Sequence, residues 1–440
     1  MRSLVQAPTS VEAVAGRGSE TAQPESWRRL EVLLAVVGTV LIATRIVILP
    51  QLLLTAGDVL AVALVPLWFP VTRRYLGARL VLLLGVLAVL AGALLTAGSA
   101  DDHPTSTGGL LLAISLVFGT LACFGFLLWA REKVSDAVLG SAFGFGLLIG
   151  VSQTSALYSA NPWRFGFSVP VAVLVLGLCA VSRSRWLALI ATLALTLVSA
   201  LTDARSSFAL LLLTAALLTW QLRPRQTNRR SSALRALLGL GLFGAIVYNI
   251  GQSLIVNGYL GAITQQRSVQ QINETGSLIL GGRPELTATL ALMRDHPMGF
   301  GSGTRPNHHD ITVAKEGMAS IGYDPDNGYV DNWMFGHGFA LHSVTGDLWV
   351  QSGLVGLVLA ATILFLTLRG VSRRVSVSAA SALLLYVGFK TIWNLFFSPF
   401  YSSISLLELS LALTLIRRTP DPGPAVGSED DVTPVPAETG

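Results

Sequence analysis

Charged residues are scarce in this sequence. Of its 440 residues only 12% are Asp, Glu, Lys or Arg, whereas 52% are hydrophobic. Soluble domains carry roughly a quarter charged residues, so the composition excludes an ordinary soluble core. Repeated bilayer spans explain the deficit, because lipid offers backbone amides no partner unless about 20 apolar residues form each helix. We therefore predict an all-α polytopic membrane protein.

Cysteine is almost absent as well. Cys123 and Cys179 are the only two, and each lies inside an apolar run. This excludes a disulfide framework, and we interpret both as small buried hydrophobic residues. The formal net charge of +5 does not indicate a nucleic-acid partner, because most Lys and Arg occupy short connections between apolar runs, where they set membrane topology.

About twelve apolar segments are predicted to be transmembrane helices. They are 30–49, 52–70, 78–97, 109–130, 137–157, 166–182, 187–202, 206–222, 233–255, 346–368, 377–397 and 401–416. Nine lie within 30–256 and three within 343–416, on either side of a large loop at 257–342. Residues 1–29 are polar and lack the apolar stretch of a cleavable signal peptide, so the first segment is predicted to be an uncleaved anchor. The tail at 417–440 is rich in Pro, Gly and acid and is expected to be disordered.

Basic residues recur in alternate connections. They precede the first segment and occur near 73–79, 131–133, 183–185, 223–235, 369–374 and 417–418. The positive-inside rule then predicts that both termini are cytoplasmic and that 257–342 lies outside the plasma membrane.

The loop at 257–342 contains five of the six histidines. Loops longer than about 15 residues are usually functional or disordered. The aromatic residues Trp333, Phe335 and Phe339, and a helical pattern upstream of them, favour a folded loop. It is therefore the predicted location of the active site.

A helix is predicted inside the loop. Its apolar residues recur at helical spacing between Pro284 and His296–Pro297, and they are Leu286, Leu290 and Met293. About three turns separate Arg283 from Arg294, which predicts that both share one face. The glycine-rich stretch 299–303 is expected to be a flexible turn, and without a preceding strand it does not indicate a nucleotide site.

Several of these motifs resemble those of a known family. Arg283 opens the helix, Asp-His-Pro-Met-Gly-Phe-Gly-Ser-Gly ends it, and His342-Ser343 precede a span with Gly353 and Gly356. Upstream, Arg205 stands at the outer end of a span in Thr-Asp-Ala-Arg-Ser-Ser. In order and spacing, residues 200–368 resemble the O-antigen ligase and Wzy-type polymerase superfamily. The resemblance implies a GT-C-like membrane glycosyltransferase.

The resemblance also implies a reaction. The enzyme would transfer a glycan from an undecaprenyl-diphosphate carrier to a hydroxyl of a glycan or glycolipid acceptor, without a metal ion or other cofactor. His342 would be the base, and Arg205 and Arg283 would bind the diphosphate. The chain departs from the family at Gln351, where Glu is frequent, and at Ser206, where Gly is common.

The residue types suit this chemistry on physical grounds. A leaving diphosphate gains negative charge, which fixed arginines stabilise through bidentate bonds. The acceptor hydroxyl needs a base that is neutral near pH 7, which is the range of histidine. His342 precedes a predicted span, whose helix N-terminus disfavours the protonated imidazole. Simpler interpretations remain: Arg205 extends to the membrane surface, Arg283 is an ordinary surface residue, and His342 is structural.

Four further basic residues are candidate substrate contacts. Arg294 is first interpreted as a solvated residue or as the partner of a nearby acid. Arg45 and Lys390 lie in the outward halves of apolar segments, where they either anchor the helix or line the substrate cavity. Arg164 can touch the glycan, although its neighbour Trp163 is more simply an interface anchor.

The histidines superficially indicate a metal site, through His308, His309 and Asp310 together with His337 and His342. Adjacent histidines point in different directions and no ligand spacing recurs. We therefore predict no metal at this motif and a metal-independent reaction.

The sequence thus predicts a glycan polymerase or ligase of cell-surface polysaccharide assembly. The alternative is a transporter or flippase of lipid-linked saccharides, which often shows two related halves. We find no such internal repeat. A sensor or structural membrane protein is a third interpretation.

Overall fold

The computed structural model describes residues 25–222, 233–259, 261–276, 281–336 and 338–418. The predicted terminal tails therefore lie mostly outside the described residues, as do most of the basic connection at 223–235 and His337. The first half contains α1 (Glu25–Thr44), β1 (Val47–Leu49), β2 (Leu54–Thr55), α2 (Ala56–Ala63), α3 (Val65–Trp68), α4 (Ala78–Gly98), α5 (Thr107–Lys133), α6 (Asp136–Ile149), α7 (Ala156–Ala160), α8 (Ser168–Ser182), α9 (Arg185–Leu201) and α10 (Arg205–Gln221).

The second half is also helical. It contains α11 (Ala233–Val256), α12 (Ala262–Thr275), α13 (Glu285–Asp295), α14 (His308–Ala319), α15 (Val344–Ser376), α16 (Ala382–Phe397) and α17 (Phe400–Thr414). Short 3₁₀ helices lie at Pro50–Leu52 and Pro70–Arg74, and π-helical turns at Trp163–Phe167 and Val330–Met334.

Four of the described helices are long and apolar enough to cross a membrane. They are α4, α5, Trp163–Ser182 and α15, and the bent pair Ala56–Ala63 with Val65–Arg74 makes a fifth if it forms one span. The helices α6, α9, α16 and α17 are apolar but shorter. The described chain is thus a mostly α-helical, membrane-embedded protein. Each predicted apolar segment contains helix, although many of these helices are shorter than a bilayer requires.

The predicted segment 52–70 is not one continuous helix. Its two halves meet at an angle of 60°, and a two-stranded hairpin of β1 and β2 precedes them. Pro50, Pro66 and Pro70 begin new turns here, because proline cannot donate a backbone hydrogen bond within a continuing helix. The hydropathy of the segment alone does not reveal these breaks.

Basic connections meet at one end of the helix bundle. Glu132, in the last turn of α5, accepts hydrogen bonds from Arg74 at 3.1 Å and from Arg417 at 2.8 Å. Arg131 donates to the carbonyl oxygens of Ala412 and Leu415 at 2.7 and 2.9 Å. These contacts join three connections that the sequence assigns to the same side.

The large loop packs against the opposite end of the bundle. The stretch 299–303 is not the flexible turn that its glycines predicted, because Phe300 is fully buried. Phe300 and Gly301 both donate backbone hydrogen bonds to the carbonyl of Val350 in α15 at 2.9 Å. A Cβ on Gly301 would lie 2.3 Å from the Thr96 nitrogen. Glycine is needed here for close contact with α4 rather than for flexibility.

The helix predicted in the loop is confirmed, since α13 begins after Pro284 and ends before His296. The three apolar residues at helical spacing do not by themselves mark its buried face. Leu290 is exposed, whereas Ala288 and Leu292 pack into the core shared with α14 and Trp349. Arg283 precedes the helix, so helical spacing does not relate it to Arg294. The small residues face inward because α13 and α14 pack closely together.

Cysteine labelling tests the orientation of this bundle. Ser320 is exposed in the large loop, and Ala379 is exposed at the end of the bundle where the basic connections meet. Each is replaced by cysteine in turn. We expect an impermeant thiol reagent to label only Ser320→Cys in intact cells. The native Cys123 and Cys179 are buried and free, so the unsubstituted protein is a suitable background. Labelling of Ala379→Cys alone would reverse the predicted topology.

Candidate functional site

His342 lies in a turn that a buried carboxylate holds in place. Asp347, in the first turn of α15, accepts the backbone N–H of Leu341 through Oδ1 and that of Phe400 through Oδ2, both at 2.8 Å. Ser343 caps the same helix by accepting from the N–H of Gly346. His342 itself has a φ of 53°, a conformation that non-glycine residues adopt only when surrounding contacts impose it.

A backbone hydrogen bond fixes the tautomer of the His342 imidazole. Its Nδ1 lies 3.0 Å from the carbonyl oxygen of Ala340. Because a carbonyl only accepts, Nδ1 carries the proton and the lone pair is on Nε2. Burial is the largest cause that lowers the pKa of His342 below its usual 6.5, and the charge of Arg283 lowers it further. The imidazole is therefore neutral near pH 7, as the sequence predicted, but burial is the main reason.

Glu285 and Tyr329 complete this cluster, and the sequence analysis did not identify them as site residues. The Tyr329 hydroxyl donates to Oε1 of the buried Glu285, and its ring centroid lies 5.7 Å from that of His342. Oε2 of Glu285 has no hydrogen-bond partner among the described residues. The Glu285 charge acts to raise the pKa of His342, so this carboxylate stabilises the imidazolium form.

One cation, Arg283, lies close to this cluster, and a second, Lys390, lies near Arg283. Arg283 precedes α13, and its charge acts on His342, Tyr329 and Lys390. Lys390 is half-buried in α16. Within the part of the chain that the structure describes, neither side chain forms a hydrogen bond or an ion pair. The structure thus brings three of the predicted site residues, His342, Arg283 and Lys390, into one region.

Arg205 is held at the N-terminus of α10. Its Nη1 donates to Oγ of Ser268 at 3.0 Å and to Oε1 of Gln271 at 3.2 Å. A Cβ on Gly282 would lie 3.7 Å from the same Gln271 oxygen. Gln271 therefore bonds to Arg205 and lies close to Gly282, the residue before Arg283.

Arg164 is linked to Arg205 through an acid. Its Nη1 lies 3.6 Å from Oδ2 of Asp203, and the Arg205 Nε lies 3.7 Å from Oδ1 of the same carboxylate. The Arg164 guanidinium also stacks over the Phe165 ring at 4.9 Å. Arg164 is thus close to the Arg205 region, as a substrate contact would be.

Arg45 lies in a separate buried ionic group. Its Nη1 is 3.6 Å from Oδ1 of Asp58 and 3.7 Å from Oε1 of Glu408, and Cys123 donates to Asp58. Its side chain is only 20% exposed. Of the two interpretations left open, surface anchoring does not describe this position, because the guanidinium faces two carboxylates inside the bundle.

Arg294 is exposed near the end of α13. Neither predicted acid pairs with it: Asp295 bonds to His296 and His309, and Glu285 bonds to Tyr329. Arg294 is therefore a solvated helix residue in this structure.

The predicted absence of a metal rested on the histidine motif. His308 is exposed, and His342 belongs to the site around Glu285. However, the fold brings together Asp295, His296 and Asp310, a set that no sequence spacing indicates.

Sequence reasoning missed Glu285 for an identifiable reason. An acid in the first turn after Pro284 is a common helix start, so its position indicates only local structure. Its role depends on Tyr329, which is 44 residues away.

No protein-family model matches the chain, and neither the curated proteins nor the solved structures contain a match.

Replacing Asp347 tests how the His342 turn is held. In Asp347→Asn one carboxylate oxygen becomes an NH₂ group, which cannot accept, so a buried backbone N–H loses its partner. We expect a loss of about 1–3 kcal/mol in unfolding free energy, seen as a lower Tm in detergent. Asp326→Asn is the control, because that acid is largely exposed. Equal Tm values for the two variants would show that the Asp347 hydrogen bonds do not hold the His342 turn.

Proposed function

We propose that this chain is a membrane glycosyltransferase that moves a glycan from an undecaprenyl-diphosphate carrier to an acceptor hydroxyl. One observation carries the proposal. His342, with Nδ1 bonded to Ala340, lies near Arg283, and Arg283 lies near Lys390; neither cation has an anionic partner among the described residues. A half-buried base beside an arginine without an anionic partner, with a lysine near that arginine, suits a reaction that removes a proton and releases a diphosphate.

The proposed reaction is one displacement. The acceptor hydroxyl gives its proton to Nε2 of His342, and its oxygen forms a bond to the anomeric carbon of the donor glycan. The bond from that carbon to the diphosphate oxygen breaks, and the diphosphate leaves with the electron pair. Glu285 stabilises the imidazolium that results. In this proposal the cationic side chains of the protein stabilise the negative charge of the leaving diphosphate. No metal ion is placed at the reacting atoms.

The cations have separate roles in this proposal. Arg283 presents a planar group that binds two phosphate oxygens, whereas Lys390 supplies a point charge. Arg205 and Arg164, which share the Asp203 carboxylate, contact either the second phosphate or the glycan in this proposal. Arg294, exposed at the other end of α13, lies outside the proposed site.

The membrane arrangement is part of the proposal. A polyprenyl carrier keeps its diphosphate at the membrane surface, so the site must lie at the end of the bundle where the large loop packs. We propose twelve spans in the plasma membrane with both termini in the cytoplasm and 257–342 outside. The basic connections that meet at the opposite end support this orientation. Polymerase and ligase activities share this chemistry and differ in the acceptor.

A transporter or flippase of lipid-linked saccharides is the second candidate. The buried group of Arg45, Asp58 and Glu408 favours it, because ionisable residues inside spans often mark a substrate or ion path. Purified protein incubated with a lipid-diphosphate oligosaccharide separates the two, since only a transferase changes the size of the glycan products.

The pH dependence of transfer tests His342 as the base. We expect the rate to rise with pH through a midpoint below pH 6.5, because the pKa of His342 is lowered. His342→Ala should lower the rate by about 10²–10⁴-fold with donor binding retained. Glu285→Gln removes a charge that raises this pKa, so its pH profile should shift to lower pH. A stable His342→Ala protein with unchanged transfer would exclude the mechanism.

Donor binding tests the arginine roles. Arg283→Ala should weaken binding of the lipid diphosphate as well as turnover, because it removes a cation next to His342. Arg283→Lys should restore binding only in part, since lysine lacks the bidentate fork. Arg294→Ala is the matched control, because the same residue type lies exposed at the other end of α13. If both alanine variants bind the donor equally well, Arg283 is not a diphosphate ligand.

A further inference from the structure

The large loop meets the connection between α4 and α5 at a second polar cluster, distinct from the His342 site. Ser106 donates its backbone N–H to the carbonyl of Gly303 at 2.7 Å, and Arg305 donates to that of Pro104 at 2.8 Å. Beside these bonds, Nε2 of His103 lies 3.1 Å from Oδ2 of Asp310 at the start of α14. Both side chains are buried.

A second carboxylate faces this pair. Oδ2 of Asp295, at the end of α13, lies 2.9 Å from Nδ1 of His296 and 3.1 Å from Nε2 of His309. One ligand atom each from Asp295, His296 and Asp310 lies within 4.8 Å of the others. Two carboxylates and three imidazoles thus converge at the joint between three segments.

The buried half of this cluster is incompletely satisfied. Oδ1 of Asp310 and Nδ1 of His103 are buried and have no hydrogen-bond partner among the described residues. Leaving part of a buried carboxylate unpaired destabilises a fold. A cation beside Asp310 removes this penalty, and the side chains around it are those that bind metals.

We propose that Asp295, His296 and Asp310 bind one divalent metal ion of the zinc class. Imidazole nitrogen together with carboxylate oxygen suits Zn²⁺. Ligand atoms at about 2.1 Å from a tetrahedral zinc ion lie roughly 3.4 Å from one another. The three ligand atoms here lie within 4.8 Å of one another, so small side-chain rotations bring them to bonding distance of one ion. His103 and His309 hydrogen-bond to the two ligand carboxylates and orient them, as outer partners do in zinc sites.

The ion has a structural role. It joins the end of α13 and the start of α14 to the 99–106 connection, and the other end of α13 carries Glu285, next to Arg283. The site takes no part in the proposed glycan transfer, and its existence does not depend on that function. The rival state is a set of imidazolium–carboxylate pairs without an ion.

Zinc binding by the full-length protein tests the proposal. Protein without a histidine tag is purified in detergent, stripped with EDTA, dialysed and titrated with ZnCl₂ at pH 7. Bound zinc is measured by atomic emission, and the Tm is followed in parallel. We expect one zinc ion per chain and a Tm that rises with zinc concentration. His296→Ala and Asp310→Asn should lose the ion, and His103→Ala should weaken binding by about 10–100-fold.

His308→Ala is the matched control, because His308 neighbours His309 but is exposed. It should bind zinc as the parent does. If Asp310→Asn does not fold, His296→Ala decides the result, since its side chain is 39% exposed. The proposal is overturned if the parent binds no stoichiometric zinc, or if His296→Ala and His308→Ala bind it equally. Either result would assign the cluster to imidazolium–carboxylate pairs.

Discussion

The Asp347 carboxylate is the contact on which the arrangement of the His342 site depends. It accepts backbone hydrogen bonds from Leu341 and from Phe400, so one side chain joins three parts of the chain. These are the turn of His342, the start of α15 and the corner between α16 and α17. A buried carboxylate is stable only when such bonds replace its hydration. The turn therefore cannot move without exposing the carboxylate or leaving it unpaired.

Close backbone packing reinforces this tie. The large loop contacts α15 at Gly353, whose φ is 58° and whose Cβ, if present, would lie 2.2 Å from the carbonyl oxygen of Met298. Trp349 is fully buried nearby and donates to the carbonyl of Pro297 at 3.1 Å. The loop is thus packed onto the helix bundle rather than attached only at its ends. This rigidity lets residues distant in sequence form one site.

Buried cations in the helix bundle face carboxylates, whereas the cations near His342 face none in the part of the chain that the structure describes. Arg131 at one end and Arg45 inside the bundle each face carboxylates, because an unpaired buried charge strongly destabilises a fold. Arg283 and Lys390 have no such partner among the described residues. Glu285, two residues after Arg283 in the chain, bonds instead to Tyr329. A fold that leaves two cations without anions is suited to an anionic ligand, which supplies the missing charge on binding.

Local features of the molecule followed from the sequence alone. The roles expected of His342 and Arg283 came from the family resemblance, whereas hydropathy located the helical segments, and Pro284 and His296 marked the ends of α13. These inferences depend on neighbours within a few turns, where periodicity and proline geometry determine conformation. The break within 52–70 also has a local cause, its prolines, but a hydropathy average over the segment does not reveal them.

Only the tertiary structure decided which residues meet. It turned the small residues of α13 inward, brought Tyr329 to Glu285 across 44 residues, and placed His103 against Asp310 across 207. These pairings depend on how whole helices pack, and helix packing is specified by the combined shape of many side chains rather than by any one motif. The sequence by itself determined which chemical groups are present, and packing determined which of them share a site.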